Sequence, residues 1–153
     1  MQFSSDKPAA VAWMKGGKEA PYLSGTVRFY PCTDGVLVVA RICGLPLDNP
    51  GGFFGFHIHQ GDTCRGQKFS GTGSHYDPRN VPHPNHAGDL PPLLGCKGRA
   101  CMSVLTDRFR VSEIIGRTVV IHSGSDDFRS QPAGDAGEKI ACGIICRASN
   151  KSG

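Results

Sequence analysis

The chain has 153 residues, 39% of them hydrophobic and 20% charged, with a net charge of +4 and a pI near 8.7. That length suits a single domain over residues 1–153 with a real core, and the balance excludes a membrane span and a disordered polyelectrolyte. The positive excess forms no Lys/Arg block, which argues against a nucleic-acid partner and leaves a weak field that favours small anions.

Residues 1–8 hold no apolar run of signal-peptide length, so the expectation is a cytoplasmic protein or one whose leader has been removed. Beyond them, 21 glycines and 11 prolines cut the chain into short segments and leave little room for long helices. Between these breaks, residues 9–15, 23–30, 36–42, 53–59, 101–106, 118–122 and 139–147 are mostly rich in β-branched or aromatic side chains and read as strands. Thr33-Asp34-Gly35 marks a hairpin, because Asp-Gly tolerates the positive φ of a tight turn. One helical stretch is expected in residues 107–115, which lack Gly and Pro, with Ser112-Glu113-Ile114-Ile115 as a short turn. Many short strands with turn signals between them predict an all-β antiparallel sandwich or flattened barrel. Two long loops, residues 60–94 and 123–138, each follow a histidine that ends a strand, and loops of that length inside a compact domain are usually functional or disordered.

Seven cysteines exceed what a cytosolic domain of this size usually carries, which tilts the reading toward an oxidising, extracytoplasmic site with the compartment left open. None lies in a Cys-x-x-Cys pair, which argues against a zinc knuckle or a thioredoxin-type motif.

All six histidines fall into four short clusters, and imidazole is the commonest side-chain metal ligand. In a strand, residues i and i+2 share a face, so His57 and His59 present two imidazoles side by side. A His-x-His pair on a solvated face would look the same, and the second cluster decides between them. His75, His83, His86 and Asp89 supply three nitrogens and a carboxylate, a tetrahedral set suited to zinc. Pro84 and Gly88 would keep that segment an irregular loop around an ion. His122 ends the apolar run Thr118-Val119-Val120-Ile121; with His57 and His59 seeking ligands, it reads as a third donor.

The strings Gly55-Phe56-His57-Ile58-His59, Gly73-Ser74-His75-Tyr76-Asp77-Pro78, His86-Ala87-Gly88-Asp89-Leu90, Ile115-Gly116-Arg117-Thr118-Val119-Val120-Ile121-His122 and Gly137-Glu138-Lys139-Ile140-Ala141-Cys142-Gly143 resemble, in order, the signatures of copper/zinc superoxide dismutases. The likeness runs from about residue 10 to residue 148 and leans toward the bacterial branch, because Cys64 follows His59 closely. It implies an eight-stranded antiparallel Greek-key β-barrel or sandwich with two long functional loops. It implies copper held by His57, His59, His75 and His122, and zinc held by His75, His83, His86 and Asp89, with His75 bridging. Superoxide would be the substrate, disproportionated by a Cu(II)/Cu(I) cycle in which His75 takes up and returns a proton. Asp126 matches the aspartate that links one copper and one zinc histidine; a surface acid beside Asp127 is the lesser alternative from local sequence alone. The family's disulfide would join Cys64 to Cys142. A further local bridge between Cys96 and Cys101 stays open, and Cys32, Cys43 and Cys146 stay unassigned as small buried residues. The resemblance leaves a homodimer open.

The chain departs from the family pattern at three places. Lys139 stands where most members carry an arginine that draws superoxide toward copper, and lysine lacks the planar two-pronged donor. Only two residues separate His83 from His86, a short zinc loop. The second loop is trimmed. A copper-binding or copper-delivery domain on the same barrel and a zinc-only structural protein are the rivals. The complete ligand sets and the aspartate link favour the enzyme.

Overall fold

A computed structural model of the chain describes residues 2–3 and 5–149; Met1, Ser4 and residues 150–153 of the sequence reading lie outside them. Among the described residues nine strands form: β1 (Ala10–Gly16), β2 (Ser24–Cys32), β3 (Gly35–Cys43), β4 (Phe53–Phe54), β5 (Phe56–His59), β6 (Leu93–Leu94), β7 (Arg99–Thr106), β8 (Thr118–His122) and β9 (Lys139–Arg147). Seven of them make one antiparallel sheet in the order β5-β8-β9-β1-β2-β3-β7, and β4 pairs with β6. The all-β antiparallel expectation holds.

Strand alternation builds the core. In β3, Val36, Val38, Ala40 and Ile42 point inward, and in β2 Val27 and Phe29 do so, while their neighbours face outward. The inward sets join Phe56, Ile58, Val119, Ile121 and Ile145 in one buried apolar cluster. β5 and β8 differ, because every residue in them is buried. Phe56, Ile58, Val119 and Ile121 enter the core, and on the opposite face His57, His59 and His122 lie under the two long loops.

The expected strand at residues 53–59 is split at Gly55, where a Cβ would come within 2.7 Å of Ala136 Cβ and 3.1 Å of His122 Cβ. The hairpin forms with Cys32 opposite Gly35, whose φ of 141° and approach to Thr106 O (2.3 Å from an added Cβ) demand glycine. Within residues 107–115, α1 shrinks to Val111–Ile114, its first turn closed by Glu113 accepting from the Arg110 N–H. The first long loop contains a 3₁₀ segment, Gln67–Thr72, and ends in β6.

The free edge of β5 is covered by that loop. Isolated bridges join His59 to His75 and His57 to Asp89, with Tyr76 N–H donating to Ile58 O (2.8 Å) and Ile58 N–H to Gly88 O (2.9 Å). An eighth long strand is therefore reduced to single bridges, since residues 75–89 give their side chains to the histidine site. Gly88 is more than a loop former here: a Cβ would lie 2.2 Å from Ile58 O.

Candidate metal centre

β5 fixes His57 and His59 on one face, paired in register with Val120 and Thr118 of β8. His122 ends β8, and its N–H donates to Gly55 O at 2.8 Å. A β-bulge lies where β8 meets β9: Ile121 faces Ala141, but His122 faces Lys139, so Ile140 is the surplus residue. The bulge sets Lys139 beside the histidines.

The six imidazoles, Asp89 and Asp126 are all buried, none more than 8% exposed. Each strand histidine has one ring nitrogen committed elsewhere. His57 Nε2–H donates to Asp126 Oδ2 (2.7 Å), His59 Nδ1–H to Gly73 O (2.8 Å) and His122 Nδ1–H to Gly137 O (3.1 Å). Such contacts fix the tautomer and turn the other lone pair inward. His59 Nε2 and His122 Nε2 consequently face each other at 3.3 Å. A hydrogen bond between them would need one ring to be charged, yet burial, with neighbouring imidazoles, holds His59 at about 2 and His122 at about 3. Two facing lone pairs are a site for a cation. His57 Nδ1 and His75 Nε2, both buried, also lack any hydrogen-bond partner. In a protein interior such orphans call for an explanation, and a metal ion supplies one.

A second set lies on the far side of His75. His75 Nδ1 is 2.7 Å from Asp89 Oδ1, and His86 Nδ1 is 3.4 Å from His75 Nδ1 and 3.3 Å from Asp89 Oδ1. His83 Nδ1 lies 3.1 Å from Asp89 Oδ2, but without hydrogen-bond geometry, so it counts as a further orphan. Donor atoms of His57, His59, His75 and His122, and those of His75, His83, His86 and Asp89, each fall within 4.8 Å of one another. Four nitrogens suit copper, and three nitrogens with a carboxylate suit zinc. Burial tends to raise the Asp89 carboxyl, but the His75 hydrogen bond and the surrounding imidazoles outweigh it and hold it below its ordinary value. Burial likewise lowers His75 against the pull of Asp89.

Asp126 joins the two sets, taking His57 through Oδ2 and His83 Nε2–H through Oδ1 at 2.9 Å. The Phe128 N–H also donates to Oδ1 at 2.7 Å. Burial works against ionisation, and the His57, Phe128 and His83 hydrogen bonds overcome it, keeping the carboxyl far below the usual range. Asp126 is thus no surface acid.

Lys139 Nζ donates to Thr72 Oγ1 and Gly73 O, both at 2.8 Å, so it shares an acceptor with His59; burial lowers its pKa. Cys64 and Cys142 form the disulfide, with Cα atoms 5.8 Å apart, and tie the first loop to β9. Cys96 and Cys101 are separate, exposed thiols: Cys96 pairs across its turn with Arg99, not with Cys101. Cys32, Cys43 and Cys146 are also free, with Cys43 and Cys146 exposed and not buried as expected. Sequence reasoning missed Gln131, whose amide accepts from the His83 N–H (3.0 Å) and donates to His83 O (2.8 Å). A lone glutamine in a polar loop carries no signal for that role.

The family model for copper/zinc superoxide dismutase (SODC) matches residues 23–145. Superoxide dismutase [Cu-Zn] 2 of Aquifex aeolicus (strain VF5) is 34% identical over 136 residues, covering 79% of this chain and 78% of that protein. Superoxide dismutase [Cu-Zn] of Legionella pneumophila is 35% identical over 133 residues, covering 82% and 79%. The copper chaperone for superoxide dismutase of Sus scrofa is 34% identical over 155 residues, 92% of this chain but 53% of its own length. Among solved structures, the Cu/Zn superoxide dismutase from Brucella abortus aligns with a TM-score of 0.74 at 26% identity, covering 88% of this chain and 98% of that one.

Proposed function

The chain belongs to the copper/zinc superoxide dismutase family, and from that premise we propose how its residues divide the work. His57, His59, His75 and His122 hold copper, His75, His83, His86 and Asp89 hold zinc, and the whole forms one catalytic domain. Superoxide is disproportionated to dioxygen and hydrogen peroxide, copper supplying a one-electron couple and zinc a fixed positive charge.

The protein's own part is orientation, electrostatics and a proton. His75 is the catalytic residue at the centre: its Nε2 is buried and otherwise unpartnered, so it is the atom that holds one proton for the departing peroxide. The second proton comes from solvent. Asp89, beside Nδ1 of the same ring, belongs with it to the second donor set, and zinc held there would keep the imidazole in place from that side. Asp126 keeps His57 and His83 in fixed tautomers, so neither half turns when charge is exchanged.

Lys139 guides the anion. Two of its three ammonium protons are spent on Thr72 and Gly73, which pins the charge beside His59 and His122 and leaves one donor for superoxide. A lysine does this as a point charge, without the fork of an arginine.

The observation that carries the reading is one buried ring, His75, common to two four-donor sets. Copper delivery, which the chaperone likeness raises, fits less well, because handing copper on calls for exchangeable ligands and these four are buried and hydrogen-bonded in place. No helix among the described residues is long and apolar enough to cross a membrane, and the reading includes neither a membrane nor a nucleic-acid partner. Sedimentation of the purified protein tests the homodimer. Metal analysis with a superoxide-decay assay on copper- and zinc-reconstituted protein tests the rest: decay faster than spontaneous is expected, and a loaded protein without effect on superoxide overturns the reading.

A further inference from the structure

The segment bearing His83, His86 and Asp89 is short and irregular, and its ligands recur at every third residue. A loop so built needs its backbone held from outside, since its carbonyls have few ladder partners. On one side, Gln131 holds the main chain of His83 and Gly88 bonds to β5. On the other side stands Arg108, two residues beyond the end of β7.

One nitrogen of its guanidinium, Nη1, lies 2.8 Å from Pro84 O, 3.1 Å from His86 O and 3.3 Å from Asp89 O. These carbonyls belong to the residue after one predicted zinc ligand and to two of the ligands themselves. An Nη carries two hydrogens, so three acceptors share two N–H groups, the longest contact being the shared one. The donor is charged, which shortens and strengthens such bonds. The Arg108 N–H in turn donates to Thr106 Oγ1 at 3.2 Å, fixing the segment that presents it. Arg79 also reaches this loop, at Asn85 O (3.1 Å), but from the same irregular stretch of chain. Arg108 gathers it from the end of β7, a rigid element.

We infer that Arg108 is a positioning residue for the zinc half of the centre, drawing the short loop into the curve that brings His83, His86 and Asp89 together. The inference rests on the ligand assignment above and extends it to a residue that touches neither metal nor substrate. Lysine would not replace it: its side chain is one bond shorter and has no planar fork.

The test uses the full chain as wild type, Arg108→Met, which keeps the aliphatic length and removes the donors, and Arg108→Lys. Zinc dissociation constants come from chelator competition, and cobalt(II) placed at the zinc position reports ligand geometry through its visible absorption. Loss of an outer contact to metal ligands typically weakens binding about 10- to 100-fold. That loss is expected for Arg108→Met, with a weakened, shifted cobalt spectrum, a smaller loss for Arg108→Lys, and copper affinity falling less than zinc affinity in both. Zinc affinity and cobalt spectra at wild-type level in both variants overturn the inference. Should Arg108→Met not fold, Arg108→Lys decides on the same two readouts. Wild-type protein that fails to bind zinc at all would instead remove the ligand assignment on which the inference stands.

Discussion

The two halves of the centre are built by opposite means. His57, His59 and His122 stand on paired strands, so backbone register places them before any ion arrives. His83, His86 and Asp89 stand on a loop whose course depends on side chains reaching in from elsewhere: Gln131, Asp126 and Arg108. The copper half is therefore a property of the sheet, and the zinc half a property of contacts between distant segments. His75 and Asp126 belong to both, and through them the rigid half steadies the other.

The largest test of this contrast removes the staple between loop and sheet. Replacing Cys64 and Cys142 by serine opens a loop of sequence separation 78 and should cost about 4 to 5 kcal/mol of unfolding free energy on the chain-entropy account, read by denaturant titration. Amide exchange should show residues 60–94 losing protection before β1 to β3. Uniform loss across both regions would break the contrast.

Acid should separate the halves next. In the metal-free protein, His59 and His122 sit at about 2 and about 3 against 6.5 when unfolded, so between those values the unfolded chain binds more protons. Their stabilisation is complete above pH 6.5 and is lost as pH falls, by up to about 1.4 kcal/mol per unit for each ring. Asp89, depressed below 3.8, acts in a lower window: its contribution is present above that value and disappears only as pH drops through its folded pKa. Thermal melts from pH 7 to 3 should thus decline from near pH 6.5, and a flat profile down to pH 4 would contradict the buried neutral histidines.

Single-ligand cuts sharpen the comparison further. His122→Ala should lower catalysed superoxide decay by at least about 100-fold, more than an outer-contact loss, with zinc content retained. His86→Ala should release zinc and slow decay by only about tenfold, since the strand-borne donors keep their places. Equal losses in the two variants, by stopped-flow decay and metal analysis, would mean that the halves are not independent. The smallest effect is electrostatic. Lys139→Glu should slow decay by a few-fold to about tenfold and invert its dependence on ionic strength. A rate matching wild type at every salt concentration would remove Lys139 from the guidance of superoxide.

Much of the strand-built half was legible in the sequence because period-two patterning and a His-x-His spacing are local signals. The seven predicted segments are strands in the structure, with ends shifted by one or two residues in β1, β2, β3 and β7 and one segment broken at Gly55, where Ala136 crowds the backbone. The Cys64–Cys142 bridge and the two donor sets were implied by family motifs, and the structure brings each of them together. What escaped notice lies in tertiary contacts to backbone carbonyls. Arg108 and Gln131 bond to main chain, which has no sequence identity, so no motif could announce them. Leu93–Leu94 and the 3₁₀ turn in the first long loop were hidden for a related reason: such short pieces take their form from neighbours.

The surplus residue in β9 has a consequence for how this chain can vary. Strand side chains obey parity, and without Ile140 as an extra step His122 would confront isoleucine where it now meets lysine. Additions or deletions in residues 123–138 that spare Asp126, Gln131 and Gly137 leave this register untouched. A change that straightened the bulge at full length would shift it, pairing Ile140 with His122 and exchanging a cation for a hydrocarbon at the entrance.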